Sequence, residues 1–208
     1  MTTFATLRSN VATYINRTDQ NTNINLAINR AISYYARKNG FWFNETTGTF
    51  VTVASQASYG TGDGVPSLIE KILDATITVT ANTVEVLTKR TLDYILSHNI
   101  GQVTGTSTDY TYFQNKIYLS LIPDAVYTIT LYYRKGYADL SADADTNDFT
   151  NNAEDLIESR AAWFIYSNIL YNEQRASAMK EKELDALSAL LKNTHNLTGS
   201  GKVVPTEY

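Results

Sequence analysis

The chain has 208 residues, 43% of them hydrophobic, which is enough for one domain or two small modules sharing a core. Its formal net charge of −4 disfavours a protein that grips duplex DNA through a basic face. The lack of cysteine excludes a disulfide framework, a thiol nucleophile and a cysteine-ligated zinc site. We also expect neither a targeting signal nor a membrane span, because no apolar stretch is long enough.

The N-terminal residues 1–40 predict a helical hairpin. Apolar residues recur at helical spacing from Phe4 to Ile15, behind Thr3 as a predicted N-cap. A second apolar stripe follows and is predicted to stop at Gly40, which suits the left-handed residue that closes many helices. The polar link between the helices is short, so their apolar stripes should face each other.

Residues 41–137 predict a β-rich module. Two alternating runs, 110–121 and 126–133, are joined by a segment with Pro123 and Asp124, which predicts a β-hairpin. The remaining predicted elements of the module are strands at 49–53 and 69–80, a turn-rich loop at 60–66, a short helix near 91–98 and a glycine-bracketed loop at 101–108.

Residues 138–208 predict an acidic loop, two helices and a tail. The loop covers 138–152, the helices cover 153–193 with a break at Asn172, and 194–208 has no period that would bury it. The second helix is predicted to bury a seam and to place Glu183 with the solvated charges opposite. The predicted seam comprises Met179, Leu184, Leu187 and Leu191. The helix–sheet–helix order predicts an α+β fold whose terminal helices form a bundle beside a mainly antiparallel β module.

The acidic loop resembles an EF-hand calcium loop in its spacing of oxygen-bearing side chains. The candidate ligands are Asp143, Asp145, Asn147, Asn151 and Glu154. However, Asp148 occupies the position where glycine makes the turn, and a strand rather than a helix precedes the loop. The alternative, which we favour, is that these residues cap the next helix and complement its dipole.

The sequence contains no convincing catalytic constellation. Glu154, Asp155 and Glu158 form an acidic group, but acids are expected in the first turns of a helix, where they are solvated. His98 at the end of the short helix and His195 just past the last helix have no evident partners. We therefore expect no enzymatic activity, no cofactor and no metal beyond the weak calcium candidate.

Tyrosine is unusually frequent, with 15 residues in the chain. Several lie in the predicted hairpin, where they would form a stacking platform for single-stranded nucleic acid or sugar, or pack against helices or a neighbouring subunit. A nucleic-acid groove normally interleaves basic residues, and only Lys116, Arg134 and Lys135 flank this one. The pattern therefore favours packing or subunit contact.

The order of these features resembles the head-to-tail adaptor proteins of short-tailed and related tailed bacteriophages. The resemblance covers nearly the whole chain but rests on packing and turn residues. It is carried by the helical hairpin, Gly40-Phe41-Trp42-Phe43, Tyr59, Val65-Pro66, Ile117-Tyr118-Leu119, Pro123, the strand end 131–135, the acidic loop, and an aromatic-rich helix followed by an amphipathic one. The chain departs from the family pattern in its 60–64 expansion and its 101–108 loop.

The resemblance implies a homo-oligomeric ring of about twelve copies in the virion neck, assembled in the host cytoplasm between the portal protein and the tail or nozzle protein. Genomic DNA would pass through its channel without sequence-specific binding, and a negative wall would repel phosphate. We expect the C-terminal helices to dock beneath the portal and the 194–208 tail to order on it. Its predicted portal-binding anchors are Val203, Val204, Pro205 and Tyr208.

Three other functions stay open from the sequence. A stopper or other neck protein from a different layer would be the nearest alternative. A β-rich carbohydrate-binding module would show a smaller helical share, and an enzyme would need a perturbed acid or base in a pocket.

Overall fold

A computed structural model describes residues 1–99 and 103–198 of the chain. The described residues form an α+β fold with two compact units: residues 1–44 with 136 onward, and residues 45–135. The helices are α1 (Phe4–Ile15), α2 (Asn21–Lys38), α3 (Leu92–Asn99), α4 (Asp148–Asn152), α5 (Glu154–Asn168) and α6 (Glu173–Thr198). The strands are β1 (Glu45–Val51), β2 (Ser58–Tyr59), β3 (Ile69–Thr80), β4 (Thr83–Val86), β5 (Thr88–Lys89), β6 (Asp109–Phe113), β7 (Lys116–Leu119) and β8 (Thr128–Lys135).

The first unit is built around α5. Helices α1, α2 and α6 all pack against it, so α5 has few solvent-facing positions and its second half is apolar on every side. The predicted N-cap of α1 is confirmed, because the Thr3 hydroxyl accepts a hydrogen bond from the Thr6 amide. The shared core includes Phe4, Ile28 and Phe149, all fully buried. Burial of such large side chains is the main source of stability for this unit.

The end of α2 differs from the prediction. The helix stops at Lys38, and Asn39 is extended, so Gly40 does not serve as the left-handed closing residue. The Asn44 side chain instead bonds the Phe41 amide and the Asn39 carbonyl, which organises the turn that leaves the helix. The chain turns here by side-chain hydrogen bonds rather than by a glycine in the left-handed region.

The second unit contains two four-stranded sheets that share one apolar core. Their strand orders are β1-β8-β3-β4 and β2-β7-β6-β5, and every pairing is antiparallel except β5 with β6. The predicted strand at 69–80 is confirmed as β3, whereas the one at 49–53 begins earlier and ends earlier, as β1. Gly48 in β1 allows a close approach, since a Cβ there would lie 2.4 Å from Pro66 Cγ.

The predicted hairpin between 110–121 and 126–133 is wrong. Residues 110–121 contain a hairpin of their own, in which β6 and β7 pair across Gln114 and Asn115. Both turn residues have positive φ, of 49° and 60°, as a two-residue type I′ turn requires. Strand β8 belongs to the other sheet, between β1 and β3, so Pro123 and Asp124 connect two sheets rather than two paired strands.

The C-terminal region is more helical than predicted. The acidic loop 138–152 contains α4 at its end, and α6 continues past 193 to Thr198, so residues 194–198 are helical rather than extended. No proline or glycine interrupts this stretch, and the Thr194 and Thr198 hydroxyls bond carbonyls one turn back. His195 therefore lies in the last turn of α6 and not beyond it.

Candidate interaction surface

The break between α5 and α6 is formed by a tight turn at residues 169–172. Tyr171 has a φ of 50° and is 81% exposed, and the amide of Asn172 bonds the Tyr166 carbonyl. The Asn172 side chain then accepts a hydrogen bond from the Arg175 amide, as an N-cap does. The predicted break at Asn172 is thus confirmed, and it folds α6 back along α5.

A buried carboxylate lies where α2, α5 and α6 meet. The side chain of Glu183 is 2% exposed. Its Oε1 accepts a hydrogen bond from Arg160 Nη1 at 2.7 Å and another from the Tyr35 hydroxyl, and its Oε2 accepts one from Lys180 Nζ at 3.0 Å. Three donors from three helices therefore compensate for the desolvation of one charge.

The protonation of this cluster follows from its contacts. Burial raises the pKa of Glu183, but the hydrogen bonds from Tyr35, Lys180 and Arg160 outweigh it, so the pKa lies below its usual value. Burial, reinforced by the hydrogen bond to Glu183, raises the pKa of Tyr35. Because these pKa values move apart, Glu183 is a carboxylate and Tyr35 a neutral phenol at neutral pH.

Cations and aromatic rings alternate across the surface above this cluster. The guanidinium carbon of Arg160 lies 3.4 Å from the ring centroid of Tyr34 and 5.4 Å from that of Trp163. Lys180 Nζ lies 5.2 Å from the same Trp163 centroid, and Lys38 donates a 2.7 Å hydrogen bond to the Tyr34 hydroxyl. We call these five residues the cation–aromatic ladder. It spans α2, α5 and α6 with half-buried rings, a composition that favours macromolecular contact.

Next to the ladder, α2 exposes a basic face. Arg30 is exposed and its guanidinium carbon lies 5.2 Å from the Phe164 centroid. Arg37 and Lys38 are exposed about two turns further on, and α2 has no acidic residue. Asp139 borders the shallow groove that these side chains line together with Leu26. The positive charge of Arg30, Arg37 and Lys38 can attract an anionic partner to this groove.

The calcium candidates are engaged in other interactions. Asp143 pairs with Arg8, and Asp145 Oδ2 accepts 2.7 Å hydrogen bonds from the amides of Ser141 and Ala142. Asn147 caps α4 by bonding the Thr150 amide. Within 1–99 and 103–198 no three His, Cys, Asp or Glu side chains cluster to hold a metal ion.

The other two candidates lie near the same helices without completing a cage. Glu154, at the start of α5, accepts a hydrogen bond from the Thr2 hydroxyl, and Asn151 is exposed on α4. The acidic segment thus caps α4 and holds the Thr2 side chain at the start of α5. These contacts favour the capping interpretation of the segment.

Glu158 is buried, which the sequence reasoning missed by treating the whole acidic group as solvated. It is 3% exposed and its Oε1 accepts a 2.7 Å hydrogen bond from Asn10 Nδ2. Burial raises its pKa to about 7, the nearby charges of Glu154 and Asp155 add to the shift, and the Asn10 hydrogen bond opposes it. The group fastens α5 to α1 and titrates near neutral pH.

We expect Glu158→Gln to stabilise the protein at pH 8 but not at pH 4.5. The folded-state pKa is above the unfolded value, so the stability that Glu158 contributes is fully present below about 4.5 and is lost as the pH rises through 7. From the size of the pKa shift, the difference in the free energy of unfolding between variant and wild type should grow with pH to at most about 3 kcal/mol. Urea unfolding across this pH range measures it. Glu85→Gln, the same substitution at an exposed site on β4, is the matched control, and parallel wild-type and Glu158→Gln profiles would contradict the assignment.

The histidines and the clustered tyrosines have structural environments. His98 stacks on Tyr94 with centroids 4.0 Å apart, and its Nδ1 lies 2.9 Å from the Tyr94 carbonyl. In the β unit, Tyr59 and Tyr110 are buried in the core, while Tyr132 is 42% exposed. The tyrosines are therefore mostly packing residues and do not form one stacking platform.

The predicted portal-binding anchors, Val203, Val204, Pro205 and Tyr208, lie outside the described residues, as do the first two residues of the 101–108 loop. In the part of the chain that the structure describes, no helix is sufficiently long and apolar to cross a bilayer.

The sequence does not predict the Glu183 cluster, and its predicted α6 seam is half right, because Met179 and Leu187 pack against the core. Leu184 and Leu191 are 53% and 38% exposed, while Glu183 lies on the buried face. One signal was available, because Glu183 is seven residues from both Ala176 and Leu190, which are buried on that face. At this position helical spacing is a better guide to burial than charge.

Comparison with protein-family models gives a match over residues 2–204 to the family described as SU10 adaptor protein. A search of curated proteins finds no match. The family match covers both compact units, and therefore extends over the fold as a whole.

Proposed function

The chain belongs to the family of SU10 adaptor proteins, and on this premise we propose that it forms a ring in the virion neck that joins the portal to the tail. The ring has about twelve copies, assembles in the host cytoplasm and continues the DNA channel. Its role is structural and needs no cofactor. The observation that carries the proposal is the family match over residues 2–204, which agrees with the bacteriophage adaptor resemblance of the sequence.

Exposed apolar side chains support an assembling protein. Val84 and Val86 on the edge strand β4 are 61% and 64% exposed, and Tyr171 between α5 and α6 is 81% exposed. An edge strand with two valines on one face is a surface that favours burial by another chain. Together with the ladder, these features supply several distinct contact regions, as a ring with neighbours above and below requires.

In this proposal the C-terminal end of α6 carries the tail residues to the portal. Val203, Val204 and Tyr208 supply apolar contact area, and Pro205 reduces the conformational freedom that binding would remove. The preceding Gly199-Ser200-Gly201 segment permits the chain to change direction after the helix.

The test is electron microscopy of the purified chain mixed with its portal rings. We expect class averages with an added ring of the portal's rotational order, and a native mass consistent with about twelve copies. A mixture in which the portal remains bare, or in which the chain binds only after another neck protein has been added, would refute the proposal. The second result would indicate a stopper from a different layer. The chain measured without portal is the reference, because adaptor copies that assemble on a template can be monomeric alone.

A further inference from the structure

The helices α2 and α6 carry opposite charge on faces that point away from the core. On α2, Leu26 is 44% exposed and lies on the same outer face as Arg30 and Arg37. On α6, Glu181 and Asp185 are exposed four residues apart, and Leu184 lies beside them. The α2 face thus combines an exposed leucine with two arginines, and the α6 face combines one with two carboxylates, bordered by Lys180 one turn before Leu184.

Most of the packing within one copy uses other sides of these helices, although the Arg30 guanidinium also lies over the Phe164 ring of α5. The buried residues of α2 and α6 lie on the opposite sides of these helices, toward α5. Glu181 and Asp185 repel each other at this spacing, which costs roughly 0.2–0.5 kcal/mol in an isolated helix. A positively charged partner that covers this surface would relieve the repulsion and so contribute favourably to the free energy of association.

Charge is also distributed unevenly along the chain. Residues 1–44 contain five basic and only one acidic side chain, whereas residues 136–208 contain six basic and twelve acidic ones. Copies of one chain can therefore attract each other if the N-terminal hairpin of one meets the C-terminal region of the next. Such a contact joins two different surfaces, and repeated heterologous contacts form a ring when the rotation between successive copies closes.

We propose that the outer face of α2, with Leu26, Arg30 and Arg37, packs against the outer face of α6, with Glu181, Leu184 and Asp185, of a second copy. This contact rests on the proposed ring and identifies the surfaces that hold its neighbouring copies together. The leucines supply the apolar centre, and the charges around them set the register and exclude a contact between two identical faces.

Cysteine cross-linking on portal-bound rings tests the contact directly. Because the chain has no cysteine, Leu26→Cys and Leu184→Cys introduce the only thiols. After oxidation, the double variant should give a ladder of covalent multimers, and each single variant should remain monomeric. Cross-linking of the single variants to the same extent would mean a two-fold contact and overturn the proposal. So would a double variant that stays monomeric in visible rings.

Charge reversal tests the same contact through mixing. Arg30→Glu and Asp185→Lys should each reduce ring occupancy on the portal about tenfold, and an equimolar mixture should restore it, because alternating copies then match charges at every interface. Arg30→Gln should be intermediate, and Lys89→Glu, an exposed site in the β unit, controls for the change in net charge. Circular dichroism verifies folding of each variant. A mixture no better than its components would overturn the contact while wild-type rings persist; absence of wild-type rings would instead overturn the ring itself.

Discussion

Replacing Glu183 with alanine is expected to lower the free energy of unfolding by about 3–5 kcal/mol. The change leaves Arg160, whose side chain is 14% exposed, without its carboxylate partner, and it removes the acceptor of the Tyr35 hydroxyl. An unpaired buried charge costs more than the lost pair contributed. Urea unfolding at pH 7, followed by the signal of the adjacent Trp163, measures the effect.

The matched control is Glu181→Ala, which removes an exposed carboxylate two residues away on the same helix. It should change stability by no more than about 0.5 kcal/mol. The deficit of Glu183→Ala should also shrink in acid, because a depressed pKa means that the stability is present above about 4.5 and is lost as pH falls below it. Equal effects of the two substitutions would show that Glu183 is not held in the cluster.

A double-mutant cycle separates the pair from its surroundings. Arg160→Met and Glu183→Met should each destabilise the protein. The double variant should lose less free energy of unfolding than the sum of the two single losses, because neither charge then stays buried alone. Lys180, which is 40% exposed, can turn to solvent when Glu183 is absent. Additivity in this cycle would mean that the two groups act independently.

Much of the fold follows from local pattern. The apolar stripes of α1, α2 and α5, and the alternation of β3, predict these elements because one face of each is buried within the chain. The pairing of strands was less predictable. The type I′ turn at Gln114 and Asn115 lacks glycine, while Pro123 and Asp124 provide a stronger turn signal at a place where the chain moves between sheets.

The candidate surface was hardly predictable at all. Glu183 is buried because donors from α2, α5 and α6 converge on it, and their convergence depends on how three helices separated in sequence pack. The predicted α6 seam is confirmed at Met179 and Leu187 but wrong at its other two residues, for a related reason. Its Leu184 and Leu191 are apolar at helical spacing but partly exposed, so the pattern records more apolar surface than one copy buries. In the proposed ring, this apolar surface would be buried by a neighbouring copy.

Ending the chain at Thr198 should abolish its assembly on the portal while leaving the fold intact. In α6 the buried core residues that the structure describes end at Leu190, and the last turn of the helix keeps its Thr194 and Thr198 hydroxyl bonds. The thermal midpoint should therefore remain within about 2 °C of the full chain, since about 1 kcal/mol shifts it by roughly that amount or more. Loss of the anchors should weaken portal binding at least about 100-fold, or ~2.7 kcal/mol.

Single substitutions locate the effect within the tail. Tyr208→Ala should weaken binding measurably because a buried tyrosine is a common anchor, whereas Thr206→Ala, two residues away, should not. Co-sedimentation with portal rings, read by electron microscopy, measures both. Decoration of the portal by the truncated chain at wild-type concentrations would remove the tail from the proposed contact.

The truncated chain and the Arg30→Glu variant should each fail to form a complete ring, but at different steps. A chain ending at Thr198 keeps Arg30 and Asp185 and so retains the faces that join copies, but it lacks the proposed portal anchors. Arg30→Glu keeps the anchors but disrupts the neighbour contact. The first variant should leave portals bare, while the second should bind them as isolated copies with lost cooperativity. Because ring formation multiplies weak contacts through effective concentration, either loss alone is enough to prevent a complete neck.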